Sequence, residues 1–324
     1  MKITRFMASC ALAIGALCQG NVALADTYPE RSIRLIVPTS VGSTADVVAR
    51  VVADGLAKDL GQSFVVENLA GAAGIPGTRQ LVSAQPDGYT LAIVSSNHAI
   101  NPSLYKTVPY DSVKDITPIS VIGTTPLVVV VAPESPYKSI DELIKAAQAE
   151  PGKLNYGSSG TGSVLHLAGE LLKSKAGVDL QHIPYRGGNA LITDVMSGQI
   201  ETAFLAVPSV IGSINGGKLR ALAVSTPERV PVLGDVPTLA EVGAEGYAYD
   251  AWIALIGPAN LPENIVSKLQ EATARVMRDK SVVKIFAGQG FVPNGSSTEE
   301  AQKVLMDEIS RTQQLVEAAG ISAE

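Results

Sequence analysis

The sequence predicts an α/β fold in two domains with a cleft between them. Two observations predict it. Strand-like and helix-like runs alternate along the chain in two separate series, and a Pro- and Gly-rich stretch, "TPERVPVLGDVPTLAEVGAEG", ends the second series before one more apolar run leads into long amphipathic helices. A chain of 324 residues is also long for one hydrophobic core and comfortable for two.

In order, "SIRLIVPTS" precedes "TADVVARVVADGLAKDLG", "SFVVEN" precedes the Gly-rich "LAGAAGIPGTRQLVSAQ", and "YTLAIVSS" follows. That is the βαβαβ order of a parallel sheet covered by helices. The second series opens with "TPLVVVVAP" and continues through the helix "SIDELIKAAQAE", where Ser139 and Glu142 have capping-box spacing. "LNYGSSGTGS" and its helix come next, then "LQHIPYRGG" with a helix to Met196, "IETAFLAVP" and "LRALAVST". The chain returns through "YDAWIALIGP" to two amphipathic helices starting near Pro262 and Thr298. The expected division is residues 26–124 plus 251–324 for one domain and 125–250 for the other, with hinges near Thr124 and Asp250. Ligands of open α/β sheets sit outside the carboxyl ends of the strands, so the cleft should be lined by strand-to-helix loops.

The first 25 residues have the three regions of a secretory signal: Lys2 and Arg5, an apolar run from Phe6 to Cys18, and small residues Ala23 and Ala25 before Asp26. Cleavage near Ala25 is expected, and the apolar run is well short of the roughly 20 residues that span a bilayer. Both cysteines, Cys10 and Cys18, would leave with it, so the mature chain would form neither disulfide nor thiolate site. Removing Lys2 and Arg5 takes the 25 basic residues to 23 against 31 acidic ones, a net charge of −8. An acidic chain without a basic patch argues against a nucleic-acid partner.

Two loops stand out. "VPTSVGSTAD" and "NYGSSGTGS" each end a strand in glycine and small hydroxyl residues just where a helix begins, which aims free backbone N–H groups and the positive end of a helix dipole at one spot. A carboxylate suits that spot. The candidate ligand-binding residues are Thr39, Ser40, Gly42, Ser43 and Thr44 in the first loop and Ser158, Gly160, Thr161 and Ser163 in the second. Ser95, Ser96 and Asn97, at the end of another strand, are further candidate donors, although that composition also fits an ordinary turn. Ser43, Thr44 and Ser163 fit equally as plain N-caps.

Other chemistries find less support. "GAAGIPG" has G-x-x-G-x-x-G spacing rather than the dinucleotide fingerprint, and reads as a turn or lining loop. Gly157-Ser158-Ser159-Gly160-Thr161 misses the nucleophile elbow at Thr161, and none of His98, His166 and His182 is placed by sequence as a base. A secreted serine hydrolase is the alternative function. Three isolated histidines without cysteine give no metal-ligand spacing, so no metal or cofactor is expected.

The pieces "YPERSIRLIVP", "DVVAR", "VVENLAGAAG", "PDGYTL", "KDITPIS", "YGSSGTGSVLHLAGELL", "HIPYRGG", "VPTLAEVG" and "AWIALIGPANLP", in this order, make the chain resemble the Bug-type solute-binding proteins of the tripartite tricarboxylate transporter family. The resemblance covers nearly all of the mature chain. It implies a type II periplasmic-binding-protein (Venus-flytrap) fold, a monomer outside the cytoplasmic membrane, and no catalysis. It also implies capture of a small organic carboxylate for delivery to membrane transporter subunits; a sensor without a transporter is the variant reading. The family's first loop reads P-F-x-x-G-G-x-x-D, and this chain departs from it at Thr39 and Ser43. Tyr185 before Gly187 and Gly188 matches an aromatic that shapes the cleft, and Asp250 on the returning hinge completes the candidate set.

Overall fold

The structure, a computed structural model, describes residues 28–321, so the expected signal segment lies outside the described residues. β1 (Ile33–Val37), α1 (Thr44–Leu60), β2 (Phe64–Asn68), α2 (Ile75–Val82) and β3 (Thr90–Ser95) form the expected βαβαβ unit, with β1 parallel to both β2 and β3. β1 buries Ile33, Leu35, Ile36 and Val37, as a central parallel strand covered on both faces must. α1 presents Val48, Val52 and Leu56 as one i, i+4 stripe in the core that contains Ile33 and Leu35. Fully burying each such side chain stabilises the fold by about 1.5–3 kcal/mol.

After α3 (Asn97–Leu104) comes β4 (Ile116–Val131), a strand of 16 residues. Its first part pairs antiparallel with β9 (Asp250–Pro258), from Ile116 opposite Pro258 to Pro126 opposite Asp250. Its last part joins the second series: α4 (Ile140–Ala149), β5 (Asn155–Ser158), α5 (Val164–Ala176), β6 (Gln181–Pro184), α6 (Gly188–Met196), β7 (Thr202–Ala206), α7 (Val207–Asn215) and β8 (Arg220–Val224). The strand order is β2-β1-β3-β9-β4-β7-β5-β6, with β8 also on β4, so β4 belongs to both halves and the chain crosses between them inside a strand.

The tail of the chain is α8 (Glu263–Arg278), α9 (Lys280–Gln289), β10 (Val292–Pro293) and α10 (Thr298–Ala319). The sequence led to one helix after Pro262 where the structure has two. Asp279 makes the break: its carboxylate accepts the N–H groups of Ser281 at 2.8 Å and Val282 at 3.3 Å, starting α9 where α8 ends. Ser139 does cap α4, accepting the Glu142 N–H at 3.2 Å, but Glu142 takes the Lys138 N–H instead of returning the bond to Ser139. The reciprocal capping box forms at Ser297 and Glu300 and starts α10. That helix packs on α3 and on α5, placing Ala301 and Leu305 against Trp252 and Val316 in the core of the second half.

Strand polarity then decides where the loops go. β3 runs antiparallel to β9 with Ser95 opposite Ile253, and β7 runs antiparallel to β4 with Ala206 opposite Leu127. The carboxyl ends of β1, β3, β5 and β7 therefore all arrive at the crossing, near residues 124–127 and 250–253.

Beneath that crossing, α5 approaches β5 so closely that a Cβ on Gly169 would lie 2.1 Å from the Tyr156 ring. Replacing a mid-helix glycine by alanine ordinarily stabilises by about 1 kcal/mol. Here overpacking against the fully buried Tyr156 should reverse the sign. We expect Gly169→Ala to lower stability in urea unfolding by about 1–3 kcal/mol.

Candidate functional site

The two Gly-Ser loops are local copies of one another. Gly42 and Gly162 have φ of 79° and 74°, a left-handed conformation that favours glycine, and Ser43 and Ser163 follow with φ, ψ of −67°, 160° and −67°, 159°. Each serine donates its N–H to the carbonyl three residues back, Ser40 or Gly160, at 3.1 Å. Its hydroxyl accepts the N–H three residues on, from Asp46 or His166, at 3.3 Å. Each glycine donates its own N–H to the side chain four residues on: Gly42 to Asp46 Oδ2 and Gly162 to His166 Nδ1, both at 2.9 Å. Even the next turn repeats, with Arg50 on Asp46 at 2.9 Å and Glu170 near His166 at 3.8 Å.

Ser43 and Ser163 are thus N-caps, and they leave the first two N–H groups of each helix open. Thr44, Ala45, Val164 and Leu165 donate to no acceptor among the described residues. Open N–H groups at a helix start, reinforced by the helix dipole, are donors of the kind anions take, and these four need no cationic side chain to serve as such. The Gly42 amide is not one of the open donors, because Asp46 holds it. Asp46 is 2% exposed and also accepts from Asn68 at 3.0 Å. Burial raises its carboxyl, but Gly42, Arg50 and Asn68 outweigh that and hold it below the usual range.

Thr39, the first departure from the family pattern, has its Oγ1 2.8 Å from Ser43 Oγ, the second departure. A hydroxyl pair thus stands where the pattern has an aromatic ring and a glycine. Ser40 and Val41 are exposed at the loop tip, Val41 by 71%. Beside them, the 71–74 segment packs on Pro38, where a Cβ on Gly74 would lie 3.0 Å from the Pro38 carbonyl. Ala72 and Ala73 there have φ of 40° and 53°. Non-glycine residues in that region cost of order 1–3 kcal/mol, and such strain clusters at functional sites. Asn101 of α3 holds the Ala73 carbonyl at 3.2 Å. Leu104, one turn further along α3, meets the second loop, 2.1 Å from where a Cβ on Gly162 would be. The helix therefore touches the 71–74 segment on one side and the second loop on the other.

The remaining candidates divide. Ser96 is fully buried and bound to the backbone of Trp252, accepting its N–H at 2.8 Å, so it anchors β3 to the crossing strand. Asn97 next to it keeps Oδ1 buried without a partner among the described residues, as does Thr125 its hydroxyl on β4. Ser95 ends β3 opposite Ile253. Tyr185 donates its N–H to the Ser158 carbonyl at 2.9 Å and its phenol to Asp194 at 2.7 Å; burial and that carboxylate push the phenol pKa up to about 12. Its carbonyl lies 3.5 Å from where a Cβ on Gly160 would be, and Thr161 is exposed at the tip. Asp250 shares a sheet face with Thr124 and Trp252 and has Arg311 and Glu308 of α10 as charged neighbours; burial raises its carboxyl, with Thr124 and Arg311 opposing.

Sequence reasoning places none of the histidines as a base; in the structure each has a partner, His98 through Nε2 at 2.9 Å from the Ser112 carbonyl and His166 through the Gly162 N–H. His182 Nε2 is 2.6 Å from Ser158 Oγ, and its ring stacks on that of His166 at 3.7 Å between centroids. The contact does not make a nucleophile: Ser158 is fully buried, and its hydroxyl is already bonded with the N–H and carbonyl of Gly160. A surface groove of about 470 Å³ between α1, α8 and α9 shares no residue with either loop. Among the described residues no group of three His, Cys, Asp or Glu side chains is placed to hold a metal ion, and no helix is long and apolar enough to cross a membrane.

Asp46 carries the first loop, so losing it should be felt before any ligand is added. Hydrogen bonds to charged groups contribute about 1.5–3 kcal/mol, and we expect Asp46→Ala to destabilise by at least that much in chemical denaturation. Because the Asp46 carboxyl is held below its unfolded value, its contribution is present at neutral pH and is lost as pH falls through the folded value, below 3.8. Wild type and Asp46→Ala should therefore converge in stability in that acid range.

Comparison with known proteins shows what the chain is similar to. The family model for the tripartite tricarboxylate transporter family receptor matches residues 48–321. Protein BugT of Bordetella pertussis is 34% identical over 322 residues, 99% of either chain. An R. palustris protein solved with adipate superposes with a TM-score of 0.86 at 33% identity, over 92% of this chain and 100% of that one. MatC from Rhodopseudomonas palustris with bound malate gives 0.80 at 29% identity, over 89% and 100%. These relatives are solute-binding proteins rather than enzymes, and this chain belongs with them to the tripartite tricarboxylate transporter receptor family.

Proposed function

We propose that this chain is an extracytoplasmic receptor that captures a small organic carboxylate between its two halves and delivers it to membrane transporter subunits. The observation that carries the reading is the duplicated Gly-Ser cap, which leaves four helix N-terminal amides open at one crossing. A carboxylate is the ligand such a site suits, since it takes several short N–H bonds and the field of two helix dipoles. An acidic protein with a formal net charge of −6 thereby binds anions without a basic pocket. The solved relatives with adipate and with malate support the ligand class. A periplasmic location is supported by relatives described as a periplasmic transporter and as the periplasmic binding protein BugD.

In this proposal 26–124 with 251–324 moves as one body and 125–250 as the other, hinged where β4 and β9 cross. The ligand is held fully only when Thr39, Ser40, Gly42, Ser43 and Thr44 close onto Gly160, Thr161 and Ser163, with Ser95, Asn97, Tyr185 and Asp250 as the remaining candidate residues; Ser158 and Ser96, both buried and bonded within the protein, support the loops from behind. The protein acts as a monomer.

A thermal-shift screen of mono-, di- and tricarboxylates tests the ligand class. A ligand at 100 times its Kd should add about 2.7 kcal/mol of stability, and its methyl ester should add none. Equal stabilisation by the ester would contradict an anion site. Gly160 has φ of 139° and Gly42 of 79°, which valine cannot adopt without strain. Gly160→Val and Gly42→Val should each weaken binding of the best carboxylate at least tenfold in calorimetry while the protein stays folded. Unchanged affinity in both would mean that the loops are helix caps and nothing more.

A further inference from the structure

The two loops are built alike but are held by different chemistry. In the first, the side chain that fixes the glycine amide is a carboxylate, Asp46, an acceptor whenever it is ionised. In the second it is an imidazole, His166, and Nδ1 accepts from Gly162 only while it carries no proton. His182 holds the same loop by a second route, through Ser158, whose hydroxyl accepts the Gly160 N–H at 3.2 Å. Both loop glycines thus hang on a pair of imidazoles stacked 3.7 Å apart with an 11° tilt.

Tyr156 of β5 lies with its ring 5.1 Å from His182 and donates a hydrogen bond from its phenol to Glu170 at 2.7 Å, and Tyr247 stands behind it. From α5, Glu170 approaches His166 at 3.8 Å and binds Lys173 at 3.1 Å; Lys173 in turn reaches Asp179 at 3.8 Å. A proton on His166 would set an N–H against the Gly162 N–H. Two imidazolium rings at stacking distance would also repel, with Glu170 already engaged by Tyr156 and Lys173.

We propose that His166 and His182 are positioning residues of the ligand site: neutral His166, as acceptor from Gly162, and His182, as donor to Ser158, hold the second loop in its anion-binding shape, and protonation of His166 releases it. The proposal rests on reading that loop as an anion site. Burial, with Lys173 beside His166 and with His166 beside His182, keeps both rings neutral down to about 4, against an ordinary value of 6.5. The shape is therefore present at neutral pH and lost in the acid range.

The test uses the mature protein with His166→Leu, which has no acceptor, and His166→Asn, whose amide oxygen can stand near the place of Nδ1 and does not titrate there. In ligand-free wild type, the Gly162 amide signal should move with the imidazole signals as pH falls through about 4. In His166→Asn that movement should vanish. At pH 7, His166→Leu should bind adipate at least tenfold more weakly than wild type, and His166→Asn should recover most of the loss. An unmoved Gly162 amide while the rings titrate, or a His166→Leu protein that binds adipate as wild type does, would overturn the proposal. A wild type that binds neither adipate nor malate would count against the carboxylate reading, while the amide titration still decides the role of the histidines.

Discussion

The first turn of an α-helix cannot satisfy its own N–H groups, and the binding chemistry proposed for this chain depends on that constraint. A serine cap takes one amide, and a glycine before it turns the chain so that its N–H goes to a side chain four residues on. The next two amides are left open. Built once, such a terminus is an ordinary capped helix. Built twice, at the start of α1 and of α5, it offers two concentrated positive ends without a cation, which leaves the sign of the rest of the surface free.

In the proposed site the scaffold's task is to turn the two termini toward one crossing. β4 and β9 do so by being shared: each strand whose end carries a loop pairs, directly or through a neighbour, with one of these two. α3 ties the lobes further, holding the strained 72–73 turn through Asn101 and meeting the second loop at Leu104. α10 packs on α3 and α5 together, so the C-terminal helix supports both lobes from the face that carries Trp252 and Asp250.

Much of this was legible in the sequence. The βαβαβ order, the two Gly-Ser loops and the return through "YDAWIALIGP" follow from local periodicity and from glycine and hydroxyl clusters before apolar runs. The copying of one loop by the other was also present, as "VGSTAD" beside "TGSVLH", with Asp46 and His166 at the same distance from the capping serine. It is hidden because a carboxylate and an imidazole share no similarity except as acceptors. Other features had no local signal. The pairing of Ser158 with His182 spans 24 residues and exists only because β5 and β6 are neighbours. The left-handed Ala72 and Ala73 have residue types that give no hint of strain. The break at Asp279 was missed because the residue serves as the end of one helix and the cap of the next.

The central claim is that open helix N-termini, rather than charged side chains, hold the ligand. A crystal structure of the mature protein with its best-binding carboxylate tests this most directly. The account predicts carboxylate oxygens about 2.7–2.9 Å from amide nitrogens at the starts of both α1 and α5, among Thr44, Ala45, Val164 and Leu165. A carboxylate bound instead by lysine or arginine side chains, away from both helix starts, would contradict it.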